Sequence, residues 1–252
     1  KGILAFSDSF IYLCIFLVLF VGQQHVYVDA VGQDDTRLAT TISHTAIMLP
    51  PTPREAAVGM YLEDVLLMVR AEKVRQALAS GEPYTGGKTL IFFNTKDECV
   101  KAISGDTFRI FKAAALHGDM NQSQRDITLA EFKSGKIDVL VATDVAARGL
   151  DVSDIDYVVH CYPPRDPDTY VHRSGRTGRA ERKGDVVVLY QNSEARALRD
   201  LERELDFKFQ QRQLPSWPAT VNASALFAYA QLSKVDKEIS KDFAQSATEI
   251  LS

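Results

Sequence analysis

From Lys88 onward, short apolar runs alternate with stretches of helical periodicity, and that rhythm is the strongest structural signal in the chain. Residues 89–93, 111–116, 137–142, 157–161 and 186–190 read as buried strands, being short, apolar and rich in β-branched and aromatic side chains. Between them, residues 96–104, 121–134, 167–174 and 193–205 carry helical text, the second of these ending before Gly135. Upstream, Pro50, Pro51 and Pro53 act as a stop, after which a long helix is expected from Arg54 to about Ala79. Residues 81–87, with a proline among glycines, form a loop. Residues 22–49 read as a lead-in with short β-prone stretches at 25–28 and 40–42. Downstream, residues 207–210 are a short strand candidate, residues 215–218 a proline-tryptophan turn, and residues 223–232 and 237–251 helical. Strands that alternate with helices predict an α/β fold in which a parallel sheet is covered on both faces. In that architecture ligands meet the loops at the carboxyl ends of the strands, so those loops are where chemistry is sought.

One segment breaks the rhythm. Residues 10–21 are twelve consecutive apolar residues, short of the roughly 20 that a bilayer span needs. A secretory signal has an apolar stretch of this length, but Gly22-Gln23-Gln24 is a poor cleavage site. Residues 1–24 are therefore set apart as an atypical segment, read first as fused or foreign sequence, with a buried element or a targeting segment as alternatives. No membrane association is favoured. Composition adds little to this picture: 46% hydrophobic and 25% charged residues are ordinary for a soluble globular chain. The formal net charge of −4 excludes a protein that coats nucleic acid with a general positive field, so any such contact needs a local basic patch. Cys14, Cys99 and Cys161 are too few and too scattered for a disulfide framework or a zinc site, and no metal ligand set is expected.

The strand-end loops hold the candidate chemistry. Asn94-Thr95 follows the first strand; His117-Gly118 follows the second, with Gln122 and Arg125 one helical turn apart just beyond. Thr143-Asp144 follows the third and leads to Arg148-Gly149 and Asp151. Later come His172, Arg173, Arg176 and Arg179, with Gly175 and Gly178 between the arginines. Arginines spaced by three suit a clamp on phosphate oxygens, and the glycines would let backbone approach a ligand. The alternatives are plainer: a solvated basic face for the arginines, and helix caps for Thr95, Thr143 or Asp144.

Taken together, the four loops are far more specific than any one of them. Residues 91–95 (Ile-Phe-Phe-Asn-Thr) resemble motif IV of the DEAD-box helicases, and His117-Gly118 with Gln122 and Arg125 resembles the element beside it. Residues 141–151 (Val-Ala-Thr-Asp-Val-Ala-Ala-Arg-Gly-Leu-Asp) resemble motif V, and residues 170–180 (Tyr-Val-His-Arg-Ser-Gly-Arg-Thr-Gly-Arg-Ala) motif VI; Glu181 stands where that family usually has glycine. The resemblance covers residues 25–212 and is looser over a helical extension at 213–252, and it leans toward the nucleolar helicase II/Gu and plant organellar subgroup. It implies a RecA-like second domain, with helices on both faces of its sheet. It also implies an ATP-dependent RNA helicase in which ATP and Mg2+ are held mainly by a first RecA-like domain. Carried onto this chain, the resemblance makes Arg176 and Arg179 arginine fingers on the γ-phosphate and His172 the coupling to the partner domain. Asp144 receives the ribose, and Asn94, Thr95, Gly118, Arg125, Thr143 and Gly149 hold the RNA backbone. A nucleolar, nuclear or organellar address would follow from the subgroup. The phosphate-loop, Asp-Glu-Ala-Asp and Ser-Ala-Thr motifs of a first domain do not occur in these residues, so this chain by itself is expected to be inactive toward ATP. The alternative reading is a non-catalytic module that binds RNA or protein through the same face.

Overall fold

The apolar runs between Lys88 and Tyr190 become five neighbouring strands of one sheet. A computed structural model describes residues 38–81, 84, 87–147, 152, 155–178 and 182–232. Within it, β1 spans Ile42–Met48, β2 Lys88–Phe92, β3 Ala113–Leu116, β4 Val139–Ala142, β5 Ile155–His160, β6 Gly184–Tyr190 and β7 Gln210–Arg212. They lie in the order β3-β4-β2-β5-β6-β1-β7, and every pairing is parallel. Seven α-helices accompany them among the described residues: α1 (Arg54–Ser80), α2 (Lys96–Ser104), α3 (Gln122–Lys133), α4 (Asp144–Ala147), α5 (Pro167–Ser174), α6 (Ala195–Glu204) and α7 (Trp217–Leu232).

Residue parity along the strands separates two cores, because successive side chains in a strand point to opposite faces. Ile91, Val139, Val141, Val159, Val187 and Leu189 pack on one side with Leu62, Val65 and Leu66 of α1. Their neighbours Leu90, Phe92, Leu140, Ala142, Val158, Val186 and Val188 pack on the other with Phe132 of α3, Tyr170 of α5 and Leu198 and Leu201 of α6. Every residue of β4 is buried, which is why its text is apolar without alternation.

The structure revises the sequence reading at four places. β1 runs on to Met48, although its polar Ser43 and Thr45 disguised all but its start; Thr45 is buried between β6 and β7. The tail strand is β7, displaced toward Arg212, because Phe207 and Phe209 leave the sheet to pack on Tyr170. The expected turn at 215–218 overlaps the start of α7, whose first turn holds Trp217 and Pro218, where a proline has no amide to lose. A four-residue helix, α4, stands where a loop was expected. Helix α1 ends on Gly81 at φ 71°, a left-handed cap that glycine adopts without strain. Residues 1–24 and the helical expectation at 237–251 lie outside the described residues, and among those described no helix is long and apolar enough to cross a membrane.

Candidate functional site at the carboxyl edge of the sheet

Register gathers the site. Phe92 pairs with both Ala142 and His160, and Ala142 with Leu116, so β2, β3, β4 and β5 end level with one another. Because the strands are parallel, Asn94-Thr95, His117-Gly118 and Thr143-Asp144 emerge side by side on one edge. Asn94 and Gly118 are exposed there, and a side chain at Gly118 would meet nothing within 4 Å, so its backbone is open to approach. Thr95 is committed locally: its hydroxyl accepts from the Glu98 amide at 3.3 Å, while its own amide donates to Glu98 at 2.9 Å. This reciprocal capping box starts α2. Glu98 also accepts from the Tyr162 hydroxyl.

A pair missed by the sequence reading closes this edge. Lys96 Nζ reaches Asp119 Oδ2 at 2.7 Å and so joins the loop after β2 to the loop after β3, across the end of β4 that lies between them. Lys96, hydrogen-bonded to Asp119, pushes that carboxyl below its ordinary range. The only clue in sequence was that both residues adjoin strand-end motifs; their proximity depends on strand order.

Arg125, on the first turn of α3, donates from Nη2 to the Ala146 carbonyl at 3.2 Å and so leans on α4. Asn121 caps α3 by the same reciprocal scheme, with Gln124 as its partner.

The three arginines do not act alike. Arg173 is turned inward, its side chain 5% exposed, and donates through Nε and Nη2 to the two carboxylate oxygens of Asp144, each at 2.6 Å. Its guanidinium carbon lies 5.0 Å from the Phe92 ring centroid. The expectation of a three-arginine phosphate clamp is therefore corrected: Arg173 is occupied by protein. Arg176 lies beyond the end of α5 and is partly exposed, and His172 faces outward. Arg179 and Gly149, like Arg148 and Asp151, lie outside the described residues. The glycines of this segment also serve packing. Gly175 caps α5, donating its amide to the Val171 carbonyl at 2.8 Å. Gly178, at φ 71°, sits where any side chain would collide with Ile42 of β1.

Beneath the site runs an aromatic layer. The His44 Nδ1 and the Tyr170 hydroxyl share a hydrogen bond at 2.6 Å, and the His160 ring stacks on Tyr170 at 5.2 Å. Burial drives the His44 pKa down to about 4 and that of His160 well below its ordinary value, so both are neutral at pH 7. Among the described residues no group of three His, Cys, Asp or Glu side chains is gathered to hold a metal ion.

Comparison with known proteins places this arrangement. Residues 70–181 match the helicase conserved C-terminal domain. The chain is 38% identical over 224 residues to the mouse protein Nucleolar RNA helicase 2, covering 89% of this chain and 24% of that protein. It therefore spans about a quarter of that relative's length. Among solved structures, a DEAD box protein from Methanococcus jannaschii is 31% identical with a TM-score of 0.52, covering 68% of this chain and 42% of that one. The S. cerevisiae protein Dbp5, solved with RNA and ADP BeF3, shares the fold at 24% identity and a TM-score of 0.60, over 75% of this chain and 46% of that one. With the loops after β2, β3 and β4 brought level on one edge of a RecA-like sheet, and the last turn of α5 tied to them through Arg173 and Asp144, the chain belongs to the DEAD-box helicase family, whose conserved C-terminal helicase domain it carries.

Proposed function

We propose that the chain serves as the C-terminal half of an ATP-dependent RNA helicase, gripping the RNA backbone and completing an ATP site whose cradle lies on a first RecA-like domain. The observation that carries this reading is the level ending of β2, β3, β4 and β5, which sets Asn94, Thr95, Gly118 and Thr143 in one row beside Arg125. Such a row offers amides, hydroxyls and one guanidinium, the groups that hold phosphates and 2′-hydroxyls without reading bases. Gly149, in the same motif as Thr143, joins that role in the proposal.

On the nucleotide side, Arg176 and Arg179 are the proposed fingers. A guanidinium aimed at the γ-phosphate stabilises the charge that develops on its equatorial oxygens during transfer to water. His172, exposed at the end of α5, is the proposed contact to the first domain. Asp144 spends one lone pair of each oxygen on Arg173 and, with a side chain 40% exposed, retains acceptor capacity toward a ribose hydroxyl. ATP and Mg2+ would rest mainly on the first domain.

The test is direct. Labelled single-stranded RNA should bind the purified chain weakly and in a salt-dependent way, with the logarithm of affinity falling linearly as the logarithm of salt rises. Arg125→Ala should lower that affinity about tenfold and flatten the salt slope by about one counterion. Equal affinity for DNA and RNA of the same sequence would sink the 2′-hydroxyl contribution.

A further inference from the structure

We propose that Arg173 is a positioning residue that acts through Asp144, fixing the four-residue helix α4 between the RNA-facing and nucleotide-facing parts of the site. The RNA part of this inference rests on the function proposed above. Helix α4 is too short to hold itself, since one turn fixes several dihedrals for a single backbone bond, here from the Ala147 amide to the Thr143 carbonyl at 2.9 Å. Instead it is clamped from two other helices. At its first residue, Asp144 accepts both arms of Arg173 from the last turn of α5, each at 2.6 Å. Near its last, the Ala146 carbonyl accepts from Arg125 on the first turn of α3, at 3.2 Å.

The two clamps differ in kind. Arg173 is buried against the Phe92 ring and doubly bonded in a planar fork, so it has one arrangement. Arg125 is partly exposed and makes one bond to a neutral carbonyl, so a phosphate can outbid that partner. When RNA draws Arg125 away, α4 is left held by Arg173 alone. Thr143, which begins this turn, and Arg176, three residues beyond Arg173, are thereby joined through a single rigid pair. Arg173 thus belongs to neither ligand and ties the two sites together.

The experiment uses the full 252-residue chain with Arg173→Gln, Asp144→Asn, the double variant and Arg173→Lys, at a temperature where circular dichroism shows each one folded. Two readouts are taken: affinity for fluorescein-labelled oligouridine, and hydrogen exchange at the Ala147 amide. Each single removal should weaken RNA binding by roughly fivefold to tenfold and speed exchange at Ala147, and the double variant should be no worse than the poorer single one. Arg173→Lys, which keeps the charge but loses the fork, should fall between wild type and Arg173→Gln. Unchanged RNA affinity in a folded Arg173→Gln, or additive losses in the double variant, would overturn the proposal. If the wild-type chain binds no RNA, the function proposed above falls, and exchange at Ala147 alone decides whether Arg173 fixes α4; unchanged protection rejects it.

Discussion

Arg173, Arg176 and Arg179 look equivalent in sequence, yet where α5 stops makes them different. The helix ends at Ser174, so Arg173 shares a face with Tyr170 one turn earlier and turns inward, whereas Arg176 follows the helix end and does not. Thr95 shows the converse, since its plainer reading as a cap is what the structure displays, on the same residue proposed to face RNA. Loss of that cap through Thr95→Ala should cost about 1 kcal/mol, measured as a lower urea midpoint. The buried histidines give a pH prediction. Burial holds the folded His44 pKa down at about 4, below the ordinary histidine value of about 6.5 that the unfolded chain keeps, so between these values the unfolded chain binds a proton that the folded chain refuses. Stability should be flat above about pH 7 and fall as pH drops from about 6.5 toward 4, losing on the order of 2 kcal/mol by pH 5 from His44 alone. His160 acts in the same direction. Melting temperatures across that range check it, and His44→Phe should flatten the slope.

Whole elements were legible where one pattern dominated. The run that becomes β4 is plain in sequence because a strand buried on both faces has nowhere to place a polar residue, and α1 is plain from its length and its proline stop. Only the start of β1 is legible in sequence, since a strand with Ser43 and Thr45 in it resembles a lead-in until β6 and β7 are known to flank it. Helix α7 was read as starting late because its Trp-Pro pair imitates a turn. Its inward face joins the main core: Phe227 meets Phe111 at 5.1 Å and Tyr84 at 6.1 Å between ring centroids. Removing that ring with Phe227→Ala should destabilise the domain by about 3 kcal/mol through the cavity it leaves, read as a lower denaturant midpoint with unchanged slope.

Among the described residues, the loops proposed to face RNA sit on the carboxyl edge of the sheet, whereas Thr177 beside Arg176 pairs with Ile155 at the start of β5, and the helicase site proposed above needs a second wall. Arginine fingers lower the barrier only for a phosphate that something else holds in place. The purified chain should therefore show no RNA-stimulated phosphate release with ATP and Mg2+, and a malachite-green assay with and without RNA checks this. The local sequence determined the identity of the loops, since the four motifs are contiguous strings whose residue types and order are visible without any fold. It also determined the α/β class, since alternation of strand and helix is a one-dimensional pattern. Tertiary structure decided which of those residues meet. Strand order put Lys96 against Asp119 over β4, and the pairing of α4 with α5 turned Asp144 toward Arg173. Those contacts join residues 23 and 29 positions apart, and only the register of parallel strands, set by burying both faces at once, brings them within hydrogen-bond reach.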